Sequence, residues 1–220
     1  MSLRSRVLAA LGTVYDPELD EPITTLGFVG SCVVTAAGDV EVRLRLPTPQ
    51  CAPNFAFLMA ADARAAVRRL PEVRELAIVL EDHYTGAEIN AAVARGEGFA
   101  NAFPGETAGG LDALRMLFQR KALVAREGRL LATVADPATA TLGELAGPDA
   151  ERCRALRRVL GMDAGDLAPA FVTGDGAPIG AAELPRFKRL AGLTALSLET
   201  NGGMCRDLLR IRYEEKGVAA

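Results

Sequence analysis

The sequence has one histidine, His83, and no tryptophan among its 220 residues. One imidazole cannot supply the two histidines of an HExxH zinc site, so that class of hydrolase is excluded. The four cysteines, at positions 32, 51, 153 and 205, form no CxxC pair, which excludes a zinc knuckle and a dense disulfide framework. The sequence also lacks a Walker A loop and a GxGxxG turn after a strand. We therefore expect no nucleotide cofactor.

Long apolar runs and charge of one sign are missing as well. No run approaches the ~20 apolar residues that span a bilayer, and Met1–Gly12 has no signal-peptide pattern. The 25 basic and 28 acidic residues leave a net charge of −3, without the basic surface of a nucleic-acid-binding protein. We expect a cytoplasmic protein with reduced thiols that binds neither a membrane nor nucleic acid.

Hydrophobic periodicity predicts a regular first half. A period of two over Val40–Leu46 indicates the second strand of an antiparallel hairpin, and the spacing of apolar residues in Phe55–Leu70 indicates a helix. With the flanking segments, the predicted order is helix, strand, strand, helix, strand (Ser2–Leu11, Phe28–Val34, Val40–Leu46, Phe55–Leu70, Leu76–Leu80). This order predicts a small α+β layer with helices on one face of the sheet.

The second half predicts a separate lobe. Asn90–Phe103 is interpreted as a connector, and the Gly/Pro-rich stretch 104–110 as the boundary between a domain at 1–103 and a lobe at 104–220. We expect the lobe to be mixed α/β and to dock a client or partner. Its predicted elements are helices Leu111–Arg126, Glu151–Leu160, Glu183–Leu190 and Cys205–Glu215, a short strand near Phe171, a strand Leu196–Leu198 and a loop Glu199–Gly203.

Cys51 is the first candidate for chemistry. It lies in the proline-rich loop Pro47–Asn54, directly before the predicted second helix, where free backbone amides and the helix dipole favour a thiolate. Such a thiol can bind a metal or attack an electrophile. The alternative is that Cys51 is a small buried hydrophobic residue, although packing alone does not require the flanking prolines.

Other candidate groups lie in turns. Asp16 and Glu18 flank Pro17 and offer either oxygen ligands or an acid–base pair, with an ordinary helix-ending turn as the alternative. His83 follows the third strand, a position for a ligand or a base, or a surface residue. Cys205 is predicted to begin a helix, with Glu199 six residues earlier at a strand end. These two residues are a secondary metal-ligand or redox candidate, or else a packed strand-to-helix turn.

Four segments together resemble the PaaD/SufT-type iron–sulfur cluster assembly domain. They are Tyr15–Glu18, Ile23–Val29, Leu46–Pro53 and Leu70–Val73, and the resemblance covers about residues 1–85. It implies the same helix, hairpin, helix, strand fold, with Cys51 of the Thr-x-x-Cys loop as the key functional residue. It also implies that the Asp16–Glu18 turn lies near Cys51, and we take Thr48 and His83 as further candidate neighbours.

The resemblance implies an accessory factor, without catalytic residues, for iron–sulfur cluster or iron assembly. Such a protein handles iron or a cluster transiently through Cys51 and passes it to a client metalloprotein, together with the assembly machinery. Because clusters bind several thiolates, one cysteine suits hand-over better than storage. Pairing of exposed strand edges adds a homodimer to the expected partners. Two alternatives stay open: a nucleophilic hydrolase or transferase that uses Cys51 and His83, and a metal-free protein-binding scaffold.

Overall fold

The structure, a computed structural model, describes residues 1–107 and 110–213. These residues divide into two compact units. The first contains Met1–Asp112 together with the chain from Asn201 onward, and the second contains Ala113–Thr200. The sequence predicted one division, at residue 103. The structure differs from that prediction because residues from Asn201 onward belong with the first unit.

The first unit is built on a three-stranded sheet. Strands β1 (Val29–Val34) and β2 (Val40–Arg45) form the predicted antiparallel hairpin, and β3 (Leu76–Glu81) pairs with β2 in parallel. A parallel pair needs a crossover connection, which helix α2 (Pro53–Arg68) supplies. Val40, Val42 and Leu44 of β2 are buried, whereas the residues between them are half-buried. The α+β class predicted from the order of the elements is confirmed.

Three more helices complete the packing of the sheet. Helix α1 (Leu3–Leu11) contacts β1 and α2, and helix α3 (Gly86–Arg95) contacts β3 and α2. A one-turn helix α4 (Phe99–Ala102) follows. The prediction of a connector over Asn90–Phe103 is therefore wrong. The side-chain oxygen of Asn90 accepts a hydrogen bond from the Leu80 amide, and its nitrogen donates to the Leu80 carbonyl, so this helical asparagine pairs with strand β3.

The second unit has its own apolar core. Helix α5 (Asp112–Leu130), helix α6 (Pro148–Val159) and the first part of helix α7 (Leu184–Tyr213) contribute to it, with 3₁₀ turns at Leu131–Thr133 and Leu142–Glu144. A Cβ at Gly128 would lie 2.7 Å from the Cβ of Ala191, so α5 and α7 approach closely there. In the described part of this unit, isolated bridges (Thr141 with Pro169, Val172 with Pro178) replace the strand predicted near Phe171.

A buried ion pair lies inside the second unit. The guanidinium of Arg157 donates to Glu127 Oε1 at 2.6 Å, and both side chains are almost fully buried. Arg157 also donates to the carbonyls of Pro169 and Ala170, while Glu127 Oε2 accepts from the Val172 amide at 2.9 Å. Burial raises the pKa of Glu127, and the guanidinium opposes this rise. The pair therefore connects α5 and α6 to the segment Pro169–Val172.

Helix α7 contradicts the predicted end of the chain. It is one continuous 30-residue helix, so the strand at Leu196–Leu198 and the loop at Glu199–Gly203 are wrong. Gly202 and Gly203 lie inside the helix. Glu214 and Glu215, predicted to end it, lie outside the described residues, as do Ala108 and Gly109 of the predicted boundary. Within the described chain, no helix is both long enough and apolar enough to cross a membrane.

Candidate functional site

The Cys51 loop connects β2 to the start of α2. Pro53 occupies the first turn of α2, a position where its missing N–H costs nothing. The N-cap is Ala52, whose methyl side chain cannot satisfy the first helical amides. Cys51 therefore lies immediately before the positive end of a 16-residue helix, as the sequence predicted. Its thiol is half-buried and free.

Two residues fix the shape of this loop. The Cys51 amide donates to the Thr48 carbonyl at 3.4 Å, and the Thr48 hydroxyl lies 3.5 Å from the Cys51 sulfur. The Tyr84 amide donates to the Pro49 carbonyl at 3.1 Å, which connects the loop to the residues after β3. Thr48, predicted as a neighbour of Cys51, thus contacts the thiol itself.

His83 reaches the same loop but binds its backbone. Its Nε2 lies 2.7 Å from the Cys51 carbonyl oxygen, which can only accept, so we assign the proton to Nε2. Nδ1 then accepts from the hydroxyl of Thr85 at 3.1 Å. Burial lowers the pKa of His83, and the nearby Arg212 lowers it further. The imidazole is therefore neutral near pH 7 with both nitrogens occupied, and it positions the loop without acting on the thiol.

The backbone conformation of Asp82 directs the following residue, His83, toward the Cys51 loop. Its φ of +54° lies in the left-handed region, which aspartate tolerates better than most residues. The chain therefore turns sharply after β3. The carbonyl and carboxylate of Asp82 both accept hydrogen bonds from Arg212 of α7, at 2.5 and 2.6 Å.

The Asp-Pro-Glu turn is closed by its first carboxylate. Oδ1 of Asp16 accepts hydrogen bonds from the amides of Glu18 and Leu19, each at 2.8 Å. Asp16 is buried, and this burial raises its pKa to about 6 despite the two amide donors. The half-buried Glu18 follows on the same turn. Asp16 therefore has a structural role in the turn and also places a titratable carboxyl group inside the first unit.

Cys205 lies within α7 and not at a helix start, so that part of the prediction is wrong. Its half-buried thiol belongs to the first unit. Burial raises the pKa of Cys205 to about 11, and the negative charges of Asp16, Cys51 and Glu18 contribute in that order. Cys205 is thus an electrostatic neighbour of the predicted site residues of the N-terminal domain.

Glu199, the other secondary candidate, is exposed on the same helix. Six residues of an α-helix separate it from Cys205 by about 9 Å of rise and by about a third of a turn. It lies in the chain segment assigned to the second unit. The predicted strand end at Glu199 was what suggested a ligand pair with Cys205, and the continuous helix removes that argument.

Two of the predicted residues contact Cys51 directly: Thr48 contacts its sulfur and His83 its carbonyl. The charges of Asp16, Cys51 and Glu18 act on the Cys205 thiol. Over residues 1–107 and 110–213, however, no group of three or more His, Cys, Asp or Glu side chains has an arrangement that could hold a metal ion. The sequence analysis gave no reason to expect an electrostatic interaction between Cys205 and Cys51, because 154 positions separate them.

These features describe a small α+β domain that presents one thiol on a braced loop at the start of a helix. The family model described as "Iron-sulfur cluster assembly protein" matches residues 4–78. Over 90 residues the chain is also 32% identical to the uncharacterized protein MJ1129 of Methanocaldococcus jannaschii. This match covers 41% of the chain and 93% of that relative. No solved structure matches the chain significantly.

The chain therefore belongs to the iron–sulfur cluster assembly protein family, as the four sequence segments predicted. The family match ends at residue 78, within β3, so α3 to α7 lie beyond it. The family name indicates a role in iron–sulfur cluster assembly for this protein.

Proposed function

We propose that the protein is an accessory factor that receives iron or an iron–sulfur cluster on Cys51 and passes it to a client metalloprotein. The observation that carries this proposal is the position of the thiol. Cys51 is half-buried, free of any disulfide, and located at the positive end of α2, where negative charge on an incoming cluster is stabilised. The proposal treats the metal or cluster as cargo.

The bracing of the loop supports hand-over. Iron–sulfur clusters bind several thiolates, so cargo on Cys51 retains coordination positions for thiols of the donor, of a second copy or of the client. The contacts of Thr48 and His83 hold the loop shape before cargo arrives. A preorganised single thiol exchanges cargo without refolding, which suits a carrier. The cytoplasmic location and the homodimer remain predictions.

The hydrolase alternative finds no supporting contact. A nucleophilic cysteine needs a base within hydrogen-bond reach of its sulfur, whereas His83 directs Nε2 to the Cys51 carbonyl. His83 also uses Nδ1 for Thr85. We therefore propose a carrier role and not a catalytic one.

The decisive experiment replaces Cys51 by serine. Serine keeps the size of the side chain, but its hydroxyl is a poor iron ligand at neutral pH. Anaerobic loading with iron and sulfide should give visible absorbance with the wild type and little with Cys51→Ser. In cells, client iron content should fall to the level of a deletion strain. The free energies of unfolding derived from melting curves should agree to within about 0.5 kcal/mol, the range typical of substitutions outside the core.

Cys153 provides the matched control, because it is a free thiol buried in the second unit. Cys153→Ala removes one thiol and should leave cargo loading and client iron unchanged. A folded Cys51→Ser protein that supports full client activity would exclude Cys51 from the mechanism and favour the metal-free scaffold.

A further inference from the structure

In the part of α7 that belongs to the first unit, one face of the helix packs against the rest of that unit. Gly202, Cys205, Leu209 and Arg212 follow each other at three- and four-residue spacing, so they share a helix face. A Cβ on Gly202 would lie 2.6 Å from Glu21 Oε1, and Leu209 Cδ2 lies 3.2 Å from the position of a Cβ on Gly27. Cys205 therefore belongs to the face of α7 that packs against the segment containing the Asp-Pro-Glu turn.

Two arginines that follow Cys205 on α7 hold this face in place. Arg206 donates to Glu21 at 2.6 Å, beyond the end of the Asp-Pro-Glu turn. Arg212 donates to the carbonyl of Leu46 at 2.9 Å and to Asp82. Leu46 lies between the end of β2 and the Cys51 loop. Thus the anchor next to Cys205 lies beside the turn, and the anchor six residues further along α7 lies at the base of the loop.

The electrostatics agree with this placement. The charges of Asp16 and Glu18 in the turn and of Cys51 in the loop contribute to the raised pKa of the Cys205 thiol. Each contact here lies within the first unit. The helix thus brings a second free thiol to the candidate site from a part of the chain that the family match does not include.

We propose that Cys205 is the second thiol ligand of the Cys51 site and binds the same iron or iron–sulfur cargo. This inference rests on the proposed function. Because the described residues contain no set of three His, Cys, Asp or Glu ligands, the positions beyond these two thiols accept ligands from outside the chain. Iron on two cysteines of one chain needs two further thiolates from partners to reach the usual four.

The exchange conserves atoms and electrons. When metal binds, the Cys205 thiol loses its proton to solvent and a sulfur–iron bond replaces the sulfur–hydrogen bond. When cargo leaves, a client thiolate forms a bond to iron, the Cys205–iron bond breaks, and Cys205 regains a proton. The iron keeps its oxidation state throughout. Two such exchanges, one at each cysteine, complete the transfer.

Cobalt(II) is a suitable probe, because it replaces iron(II) and its thiolate-to-metal absorbance rises with the number of bound thiolates. Per bound ion, the wild type should give about twice the absorbance of Cys205→Ser or of Cys51→Ser. The double variant should give none, and Cys153→Ala should match the wild type. Equal absorbance for the wild type and Cys205→Ser, with a loss only in Cys51→Ser, would overturn the inference and leave the proposed function standing. Absence of the band from the wild-type protein would contradict both.

A second measurement needs no cysteine variant. Diamide oxidises two neighbouring thiols to a disulfide and is itself reduced to the hydrazine. The metal-free wild type should yield a Cys51–Cys205 cross-linked peptide by mass spectrometry. Arg206→Ala should reduce its yield severalfold because it removes one anchor, whereas Arg210→Ala should not, since Arg210 pairs with Asp207 of its own helix. Reactive Cys51 without this cross-link in the wild type would overturn the proximity and with it the inference.

Discussion

Adjacent glycines in α7 provide a sharp test of how this helix packs. Ala is about 0.8–1.0 kcal/mol more favourable than Gly inside a helix. A Cβ on Gly203 meets no atom within 4 Å. Gly203→Ala should therefore raise the free energy of unfolding by most of that amount.

Gly202→Ala brings the same gain in helix propensity, but it also introduces a steric contact with Glu21. The new Cβ would lie 2.6 Å from Glu21 Oε1, so the carboxylate must shift, and the shift disturbs its ion pair with Arg206. A partly exposed ion pair contributes about 0.2–1 kcal/mol, so this loss offsets the gain. We expect a net change near zero and a difference of up to about 1 kcal/mol between the two variants. Because both are Gly→Ala changes at adjacent positions, their effects on the unfolded chain cancel.

Urea unfolding followed by far-ultraviolet circular dichroism measures both free energies. Two compact units need not unfold together, so hydrogen exchange of the α7 peptides should accompany it. If Gly202→Ala stabilises the protein as much as Gly203→Ala does, Gly202 does not face Glu21 and the placement of the helix is refuted. If Gly203→Ala destabilises the protein, residue 203 is not helical.

Three further predictions concern buried groups. Because burial raises the pKa of Asp16 from 3.8 to about 6, the native state loses stability as the pH rises from about 4 to about 6 and no more above that. In thermal melts, Asp16→Asn should match the wild type below about pH 4 and exceed it by about 3 kcal/mol at pH 8, and equal stability at both pH values would contradict this. Glu127→Ala leaves the Arg157 guanidinium buried and unpaired, so denaturant unfolding should show a loss of about 3–5 kcal/mol, and a loss below about 1 kcal/mol would refute the account of this pair. Iodoacetamide should modify Cys51 before Cys205, because burial raises the pKa of the Cys205 thiol to about 11. Mass spectrometry measures the order of modification, and faster modification of Cys205 would contradict this prediction.

The first unit was predictable where a local pattern decides the structure. Alternation in β2 follows from burial of one sheet face, and Pro53 suits only the first turn of a helix. These two signals place Cys51 between a strand and a helix start. The position of the main candidate could therefore be predicted from its own neighbours in the sequence.

The rest depends on contacts between distant segments. Gly202 and Gly203 predict a turn locally, yet the packing of α7 overrides their low helix propensity, and Gly202 leaves room for Glu21. The bond from His83 to the Cys51 carbonyl needs the left-handed turn at Asp82, which no periodicity predicts. For the same reason, the electrostatic interaction between Cys205 and Cys51 becomes visible only in three dimensions.

The first unit is discontinuous, since the second unit is inserted between Asp112 and Asn201. During synthesis, the ribosome therefore releases the Cys51 loop long before it releases Cys205 and the arginines that anchor α7. A nascent chain contains Cys51 without Cys205 until the inserted unit has been translated. Under the two-thiol proposal, this order of emergence restricts loading on both cysteines to chains that have been translated beyond the inserted unit.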